Sequence, residues 1–196
     1  MYKIILLIDF AEEYSKGLLK GISKYSKEHG PWIFCRMPLF QRETIGIDGI
    51  LEWALEWEAD GIIGQLYNDP KISKIVEAGI PVIAQDFKER FKEIPNITGD
   101  HYEAGKMGAE YFLRKGFKNF AFYGFKDIVW SRERAKGFED RVKKAGHQVH
   151  YFEHIMARSS ELWYYKPSPL SQWLKSLPKP IAVSYTHLAG DSQMTL

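Results

Sequence analysis

The sequence has a single cysteine, Cys35, in 196 residues, so no disulfide bond can form within the chain. No apolar run approaches the length needed to cross a membrane. The first such run, at residues 4–8, is too short for a signal peptide and lacks a small-residue cleavage site. The formal net charge of +2 is too small to indicate a surface that binds nucleic acid. These absences predict a cytoplasmic globular protein without membrane attachment.

Sequence signatures of catalytic, cofactor and metal sites are also absent. Neither a GxGxxG nor a GxSxG motif occurs. The stretch 99–106 differs from a phosphate-binding loop, because its spacing is one residue too long and Met107 replaces the Ser or Thr that binds magnesium. His147, His150 and His154 would share one face only on a helix, whereas the residues between them favour a strand. The sequence therefore indicates neither a cofactor nor a metal site and weakens an enzymatic interpretation.

Apolar segments of strand length alternate along the chain with segments of helical periodicity. The predicted strands are residues 3–8, 32–36, 61–65, 81–84, 119–123, 149–152 and 181–183. The predicted helices are residues 13–28, 48–57, 69–78, 101–115, 131–145 and 168–176. Residues 38–46 break the pattern and are predicted to form a loop, and the charged residues 87–95 a surface excursion. The alternation predicts an α/β fold with doubly wound parallel sheets.

The stretch 100–138 is the most informative part of the chain. A helical pattern that ends at a glycine leads into residues 120–123, a continuous apolar run typical of a parallel strand buried on both faces. Polar residues stand at the ends of these elements: Asp100 precedes one helix, and Trp130 and Arg134 begin the next. This arrangement favours a small polar ligand at the carboxyl ends of parallel strands.

Several segments between Tyr2 and Val183 carry a family resemblance. They read YKIILLID, YSKGLLKGISKY, ADGIIGQL, IPVIAQD, ITGDHYEAGKMGAEYFLRKGFKNFAFYGF, WSRERAKGFEDR and SQWLKSLPKPIAV. In this order they resemble the sugar-sensing domain of LacI/GalR-type regulators. More narrowly, they resemble the xylose operon regulatory proteins, in which the sensor precedes an AraC-type DNA-binding domain. The resemblance implies a periplasmic-binding-protein-like architecture in which two lobes hold a sugar, with xylose or a related pentose as the expected ligand.

The resemblance also implies how the chain is divided and what it binds. Residues 1–116 would form the N-terminal lobe, residues 117–183 a partial and incomplete second lobe, and residues 184–196 a tail outside the family pattern. This departure predicts a fragment, from which the DNA-binding domain is missing. The implied partners are a small sugar, operator DNA through a C-terminal helix-turn-helix domain, and a second copy of the chain in a homodimer.

Three polar residues of the N-terminal half match positions that border the family's ligand cleft. Asp9 ends the first strand, where a carboxylate can accept hydrogen bonds from two sugar hydroxyls; a helix-capping or solvated aspartate is the alternative. Gln65 ends the strand 61–65, and its amide either donates to and accepts from hydroxyls or is simply exposed. Asp100 lies at the mouth of the implied sugar site, or is the N-cap of the helix that follows it.

Arg134 and Trp130 are the candidate ligand residues of the second half. The resemblance places Arg134 in the cleft, where its planar guanidinium donates to sugar oxygens; the alternative is a surface arginine paired with Glu133 or Glu139. Trp130, four residues earlier, offers an aromatic face to a pyranose ring, or else packs between the lobes. Arg132 is interpreted as a solvated side chain.

Two rival functions share the alternating pattern. A small doubly wound enzyme that uses a nucleotide or a flavin would fit the fold, but a phosphate-binding loop is missing. A sugar-binding transport component would also fit, but no export signal is found. The sequence therefore favours the sensor domain of a regulator over both.

Overall fold

The computed structural model describes residues 1–8, 13–66, 71–85, 88–155 and 168–185. The described residues divide into two compact units, one up to Thr98 and one from Gly99 onward. Asp9 lies outside the described residues. Within them, no helix is both long and apolar enough to cross a lipid bilayer.

The first unit contains a parallel sheet of five strands. Its strands are β1 (Tyr2–Leu7), β2 (Trp32–Arg36), β3 (Gly61–Gln65), β4 (Val82–Gln85) and β5 (Asn96–Ile97). Its helices are α1 (Glu13–His29), α2 (Leu39–Glu56) and α3 (Ile72–Glu77). The strand order is β2-β1-β3-β4-β5, and every pairing is parallel. The predicted α/β fold with doubly wound parallel sheets is confirmed in this unit.

The first sheet buries apolar side chains on both faces, as a parallel sheet in this fold class must. We call the face that contacts α1 the α1 face. It buries Ile4, Leu6, Ile8 and Ile22, packed against Leu18, Leu19 and Ile63. The opposite face packs against α2 and α3 and buries Ile5, Leu7, Ile50, Ile62, Ile75, Val82 and Ala84. Successive residues of a strand thus serve opposite cores.

The second unit is built around a central strand with a neighbour on each side. Its elements are α4 (His101–Arg114), β6 (Asn119–Phe125), α5 (Val129–Lys144), β7 (Val149–His154), α6 (Ser168–Ser176) and β8 (Ile181–Tyr185). The strand order is β7-β6-β8, again parallel. Phe120 and Phe122 of β6 and Phe138 of α5 are fully buried, and burying a side chain of this size contributes about 1.5–3 kcal/mol.

Helices α4 and α5 pack closely because glycines remove side chains from their contact. A Cβ atom on Gly105 of α4 would overlap the carbonyl oxygen of Arg134, and one on Gly137 of α5 would overlap the carbonyl oxygen of Tyr102. This packing joins α4 to the second unit. The compact units therefore divide before α4, and the lobe boundary after residue 116 that the resemblance implies stays a prediction.

Two local predictions need correction. Residues 38–46 are not a loop, because α2 begins at Leu39 and runs through them with a kink at Gly46, whose φ is 62°. Residues 88–95 contain no helix or strand, but they do not lie entirely on the surface as predicted. Phe91 and Ile94 are buried in the core shared with α2 and α3. The short strand β5 that follows was not predicted from the sequence.

Candidate functional site

Arg134 is held by two neighbours at the start of helices α4 and α5. Its Nη2 lies 3.3 Å from Nδ1 of His101, the first residue of α4. Its guanidinium carbon lies 5.2 Å from the centre of the Trp130 ring. Because a guanidinium has only donors, Nδ1 of His101 must be the acceptor in this contact, which places the ring proton on Nε2. We call these three residues the Arg134 cluster.

The Arg134 cluster lies where the elements of the second unit converge. Trp130 is in the first turn of α5, which follows the carboxyl end of β6. His101 begins α4, and the glycine contact between the two helices brings its ring within reach of Arg134. The carboxyl ends of parallel strands are where ligands bind in open α/β sheets. The cluster therefore presents guanidinium and imidazole donors, and an aromatic ring, at the edge where a ligand is expected.

An aromatic row continues from this cluster along the carboxyl ends of β6 and β7. Trp130 meets Phe125 edge to face at 6.3 Å, and Phe125 meets the ring of His154 at 4.5 Å. His154 in turn lies 5.3 Å from the Tyr123 ring. Since the guanidinium of Arg134 lies over one face of Trp130, a sugar ring could stack only on the opposite face.

The environment of His154 favours its neutral form. Burial lowers the pKa of this imidazole below its ordinary value of 6.5, and the nearby carboxylate of Asp127 opposes this only in part. A neutral imidazole has one donor and one acceptor nitrogen, so it can bond to either end of a hydroxyl group. The aromatic row therefore includes an imidazole whose neutral form is favoured.

Asp100 caps helix α4. Its Oδ1 accepts a hydrogen bond of 2.9 Å from the backbone N–H of Glu103, and its side chain is exposed. The N-cap alternative considered for this residue is confirmed. The capping bond occupies one of the two carboxylate oxygens, and the role of Asp100 in ligand binding stays a prediction.

The guanidinium of Arg132, by contrast, bonds to a backbone carbonyl. Its Nη1 donates to the carbonyl oxygen of Lys126 at 3.3 Å, and the residue is half-buried. It is therefore not simply solvated, as the sequence suggested. On the same helix, the carboxylate of Glu139 forms an ion pair with Lys143, with Oε1 and Nζ 2.7 Å apart.

Two glutamines stand side by side at the carboxyl edge of the first sheet. Gln65 is the last residue of β3 and Gln85 the last of β4, and the two are register partners. Because strand residues alternate between faces, both lie on the α1 face, in line with Ile63 and Ile83. Gln65 is half-buried, whereas Gln85 is 4% exposed.

Arg42 ties together the ends of two central strands of this sheet. Its Nη1 donates to the carbonyl oxygen of Leu7 at 2.7 Å and to that of Gln65 at 2.9 Å. The residue is 2% exposed, so these bonds form away from water, where charge-assisted bonds are strong. Arg42 thereby fixes the backbone position from which the Gln65 side chain projects.

Sequence reasoning missed three of these residues. His101 was assigned only to a first helical turn, and its contact with Arg134 depends on the glycine packing of α4 and α5. Arg42 fell in a segment interpreted as a loop. Gln85 had a usable signal, since it follows an apolar strand as Gln65 does, and the two strands are neighbours in a sheet of this order.

No group of three or more potential metal ligands from His, Cys, Asp and Glu occurs among the described residues. His147 packs on Phe120 at 5.3 Å, and His154 belongs to the aromatic row described above. The predicted strand 149–152, which contains His150, is confirmed as β7, and β7 extends further to His154.

Comparison with known proteins supports the fold and shows which proteins the chain is similar to. Residues 109–191 match the family model of the periplasmic binding protein-like domain. The xylose operon regulatory protein of Haemophilus influenzae is 27% identical over 187 residues, which cover 90% of this chain and 46% of that protein. The chain thus spans about half the length of the curated relatives it matches.

Two solved structures show the same architecture. A periplasmic binding protein/LacI transcriptional regulator from Alkaliphilus metalliredigens, complexed with D-xylulofuranose, has a TM-score of 0.69 at 18% identity. The match covers 89% of this chain and 65% of the regulator's chain. The transcription regulator CcpA of Lactococcus lactis has a TM-score of 0.74 at 16% identity. The match covers 97% of this chain and 70% of the CcpA chain.

These likenesses confirm the periplasmic-binding-protein-like α/β fold with parallel sheets. The chain is similar to the sugar-binding regulatory domains of LacI-type regulators, and the relatives named here are regulators with a ligand-binding domain rather than enzymes. The nucleotide- or flavin-dependent enzyme considered above gains no support from them. The AraC-type part of the expected resemblance is not supported either, because the matches are LacI-type.

Proposed function

We propose that this chain is the sugar-sensing domain of a transcription regulator and that it binds a neutral sugar, with xylose or a related pentose as the first candidate. The observation that carries the proposal is the Arg134 cluster. It combines a prearranged guanidinium, an imidazole of fixed tautomer and an indole ring, beside the carboxyl end of a buried parallel strand. Hydroxyl groups need such directional donors, and the apolar face of a sugar ring packs on aromatic carbon.

The proposed ligand contacts are five residues with polar or aromatic side chains. Asp9 and Gln65 in the first unit would accept from sugar hydroxyls, and the Gln65 amide would also donate. Asp100 would accept through the carboxylate oxygen that does not cap α4, while Trp130 and Arg134 would pack against and donate to the sugar. Since each residue offers a chemically matched group, the set suits a polyhydroxylated ligand without net charge.

A ligand favours the conformation of the chain in which more of its contacts form, by its differential affinity for that state. In the proposed regulator, a cytoplasmic homodimer, this preference alters how a helix-turn-helix domain elsewhere in the full protein binds operator DNA. The xylose operon regulatory protein from Haemophilus influenzae supports this context by its similarity.

Isothermal titration calorimetry of the chain with D-xylose, L-arabinose, D-ribose, D-glucose and D-galactose tests the proposal. We expect saturable heat with at least one sugar, strongest for a pentose. L-Xylose is the matched control for D-xylose, because it has the same groups in mirror-image positions and a built site should reject it. Absence of saturable heat with every sugar would contradict the proposed function.

A further inference from the structure

Gln85 has a buried acceptor atom with no hydrogen-bond partner. Its side chain is 4% exposed, yet Oε1 receives no hydrogen bond. Buried polar atoms in native proteins are nearly always bonded, so an exception calls for a physical reason. An apolar residue of the same size at the end of β4 would avoid the cost of the unpaired oxygen.

A second unpaired polar group lies on the same face of the same sheet. Ser15 is fully buried in the first turn of α1, and its Oγ also has no hydrogen-bond partner. It shares the sheet-facing stripe of α1 with the buried residues Ile22 and Ser26. Since α1 follows the carboxyl end of β1, both unpaired groups belong to the carboxyl edge of the first sheet.

The neighbouring groups point to a ligand with hydroxyls. The register partner of Gln85 is Gln65, whose own position is fixed by the bond from Arg42 to its carbonyl oxygen. The amide oxygen of Gln85 needs a hydrogen-bond donor. A sugar hydroxyl can supply one, because a hydroxyl both donates and accepts. A site that leaves a polar atom unpaired until its ligand arrives also rejects analogues that lack the matching group.

From this geometry we infer that Gln85 determines sugar specificity: its Oε1 accepts a hydrogen bond from a hydroxyl of the bound sugar, beside Gln65 on the α1 face. The inference rests on the proposed function, since it assigns a further residue to the same ligand. It extends the set of sugar contacts to a position that the sequence pattern did not single out.

The test replaces Gln85 by methionine, which has a similar length but no amide. Gln148, an exposed glutamine between α5 and β7, is replaced by methionine as the matched control. We expect Gln85→Met to keep or raise the midpoint temperature of thermal unfolding without sugar, because a buried unpaired oxygen is removed. Its affinity for the sugar that binds the native chain should fall about tenfold, while Gln148→Met leaves the affinity unchanged.

Sugar analogues identify the hydroxyl. Each hydroxyl of the binding sugar is replaced in turn by fluorine, which cannot donate, and binding to the native chain and to Gln85→Met is compared. One analogue should bind the native chain about tenfold more weakly than the parent sugar does, but bind Gln85→Met no more weakly than the parent does. Gln85→Leu, which also lacks the acceptor but has a different shape, serves as the second variant.

The outcomes separate the two proposals. If the native chain binds a sugar and both Gln85 variants bind it equally well, the inference about Gln85 is overturned while the proposed function stands. If every fluorinated analogue loses the same affinity in the native and variant chains, the inference is overturned as well. If the native chain binds no sugar, both proposals fail together.

Discussion

Arg134 illustrates how a single residue is prepared for binding. A free arginine side chain loses rotamer freedom when it engages a ligand, and that loss weakens affinity. Here the contact with His101 and the stacking on Trp130 already restrict the guanidinium. The planar guanidinium of Arg134 is therefore already oriented before a ligand binds, as a selective site requires.

Replacing Arg134 by alanine should weaken sugar binding much more than the same change at Arg132. Bonds from a charged donor contribute about 1.5–3 kcal/mol, so Arg134→Ala should lower the affinity by about tenfold to a hundredfold. Arg132 donates to the Lys126 carbonyl instead, and Arg132→Ala should change the affinity less than about twofold. Calorimetric titration of both variants with the sugar that binds the native chain measures the difference. Equal losses would show that α5 does not present Arg134 to the ligand.

At the scale of single residues, the sequence predicts local roles such as helix capping better than it predicts contacts between distant residues. The N-cap alternative for Asp100 could be predicted because capping depends on local chain geometry, and the bond from the Glu103 N–H confirms it. The partner of Arg134 could not be predicted, because His101 lies 33 positions away and the contact depends on two glycines in different helices. The unpaired state of Gln85 is likewise a property of its surroundings and not of its type.

At the scale of elements, the close approach of α4 and α5 sets the position of the Arg134 cluster. Gly105→Ala should destabilise the chain by about 1–3 kcal/mol, because the new methyl group would overlap the Arg134 carbonyl and force the helices apart. Gly108→Ala on the same helix is the matched control: its nearest neighbours are 4.0 Å away, so it should be neutral or stabilise by up to about 1 kcal/mol through helix propensity. Urea unfolding followed by circular dichroism distinguishes them, and similar effects from both substitutions would contradict the packing.

A surface ion-pair network links α2 to the start of α3 and should make stability depend on pH. Hydrogen bonds from Lys71 and then Lys74 lower the pKa of Asp48 from 3.8 to about 2. Because this pKa is depressed in the folded state, the stabilisation is complete above about pH 4 and is lost as pH falls toward 2.

Asp48→Asn removes this dependence, so the native chain should be more stable than the variant at pH 6, by an amount that shrinks at pH 3. The effect should be small and should weaken in high salt, because the groups are exposed. Urea unfolding at several pH values measures it, with Glu52→Gln on the same helix as the control. A difference between native and Asp48→Asn that does not change with pH would contradict the assignment.

Periodicity predicted most elements with small errors at their ends, and α6 and β3 have the bounds that the sequence indicated. The failures have physical causes. The segment before residue 47 is helical, and it joins the rest of α2 at a kink where Gly46 has a φ of 62°, which glycine adopts easily. A regular 3.6-residue pattern does not reveal such a kink. Strand β5 has only two residues and pairs with the edge of β4, so its sequence carries no alternation to detect.

At the scale of the whole chain, the two units have separate apolar cores. The first unit holds one core on each face of its sheet, while the second is centred on Phe120, Phe122 and Phe138. The alternating pattern predicted the parallel sheets. The lobe boundary after residue 116 was implied by the family resemblance and stays a prediction, while the compact units divide between Thr98 and Gly99. Which helix belongs to which unit depends on packing between α4 and α5, and strand-helix order alone does not determine that.

The proposed function predicts that a bound sugar protects the segments that carry its proposed contacts from hydrogen exchange. A ligand at a hundred times its Kd stabilises the bound state by about 2.7 kcal/mol, and this protection should extend to every segment that the ligand contacts. With saturating D-xylose, or whichever sugar binds best, amide hydrogen exchange measured by mass spectrometry should slow in residues 61–66 of the first unit and in residues 130–138 of the second. Residues 57–60 and 115–119, at the amino ends of β3 and β6, are the internal reference and should change less, because ligands of this fold bind at the opposite edge. If either residues 61–66 or residues 130–138 are not protected, the ligand contacts proposed for that segment are wrong.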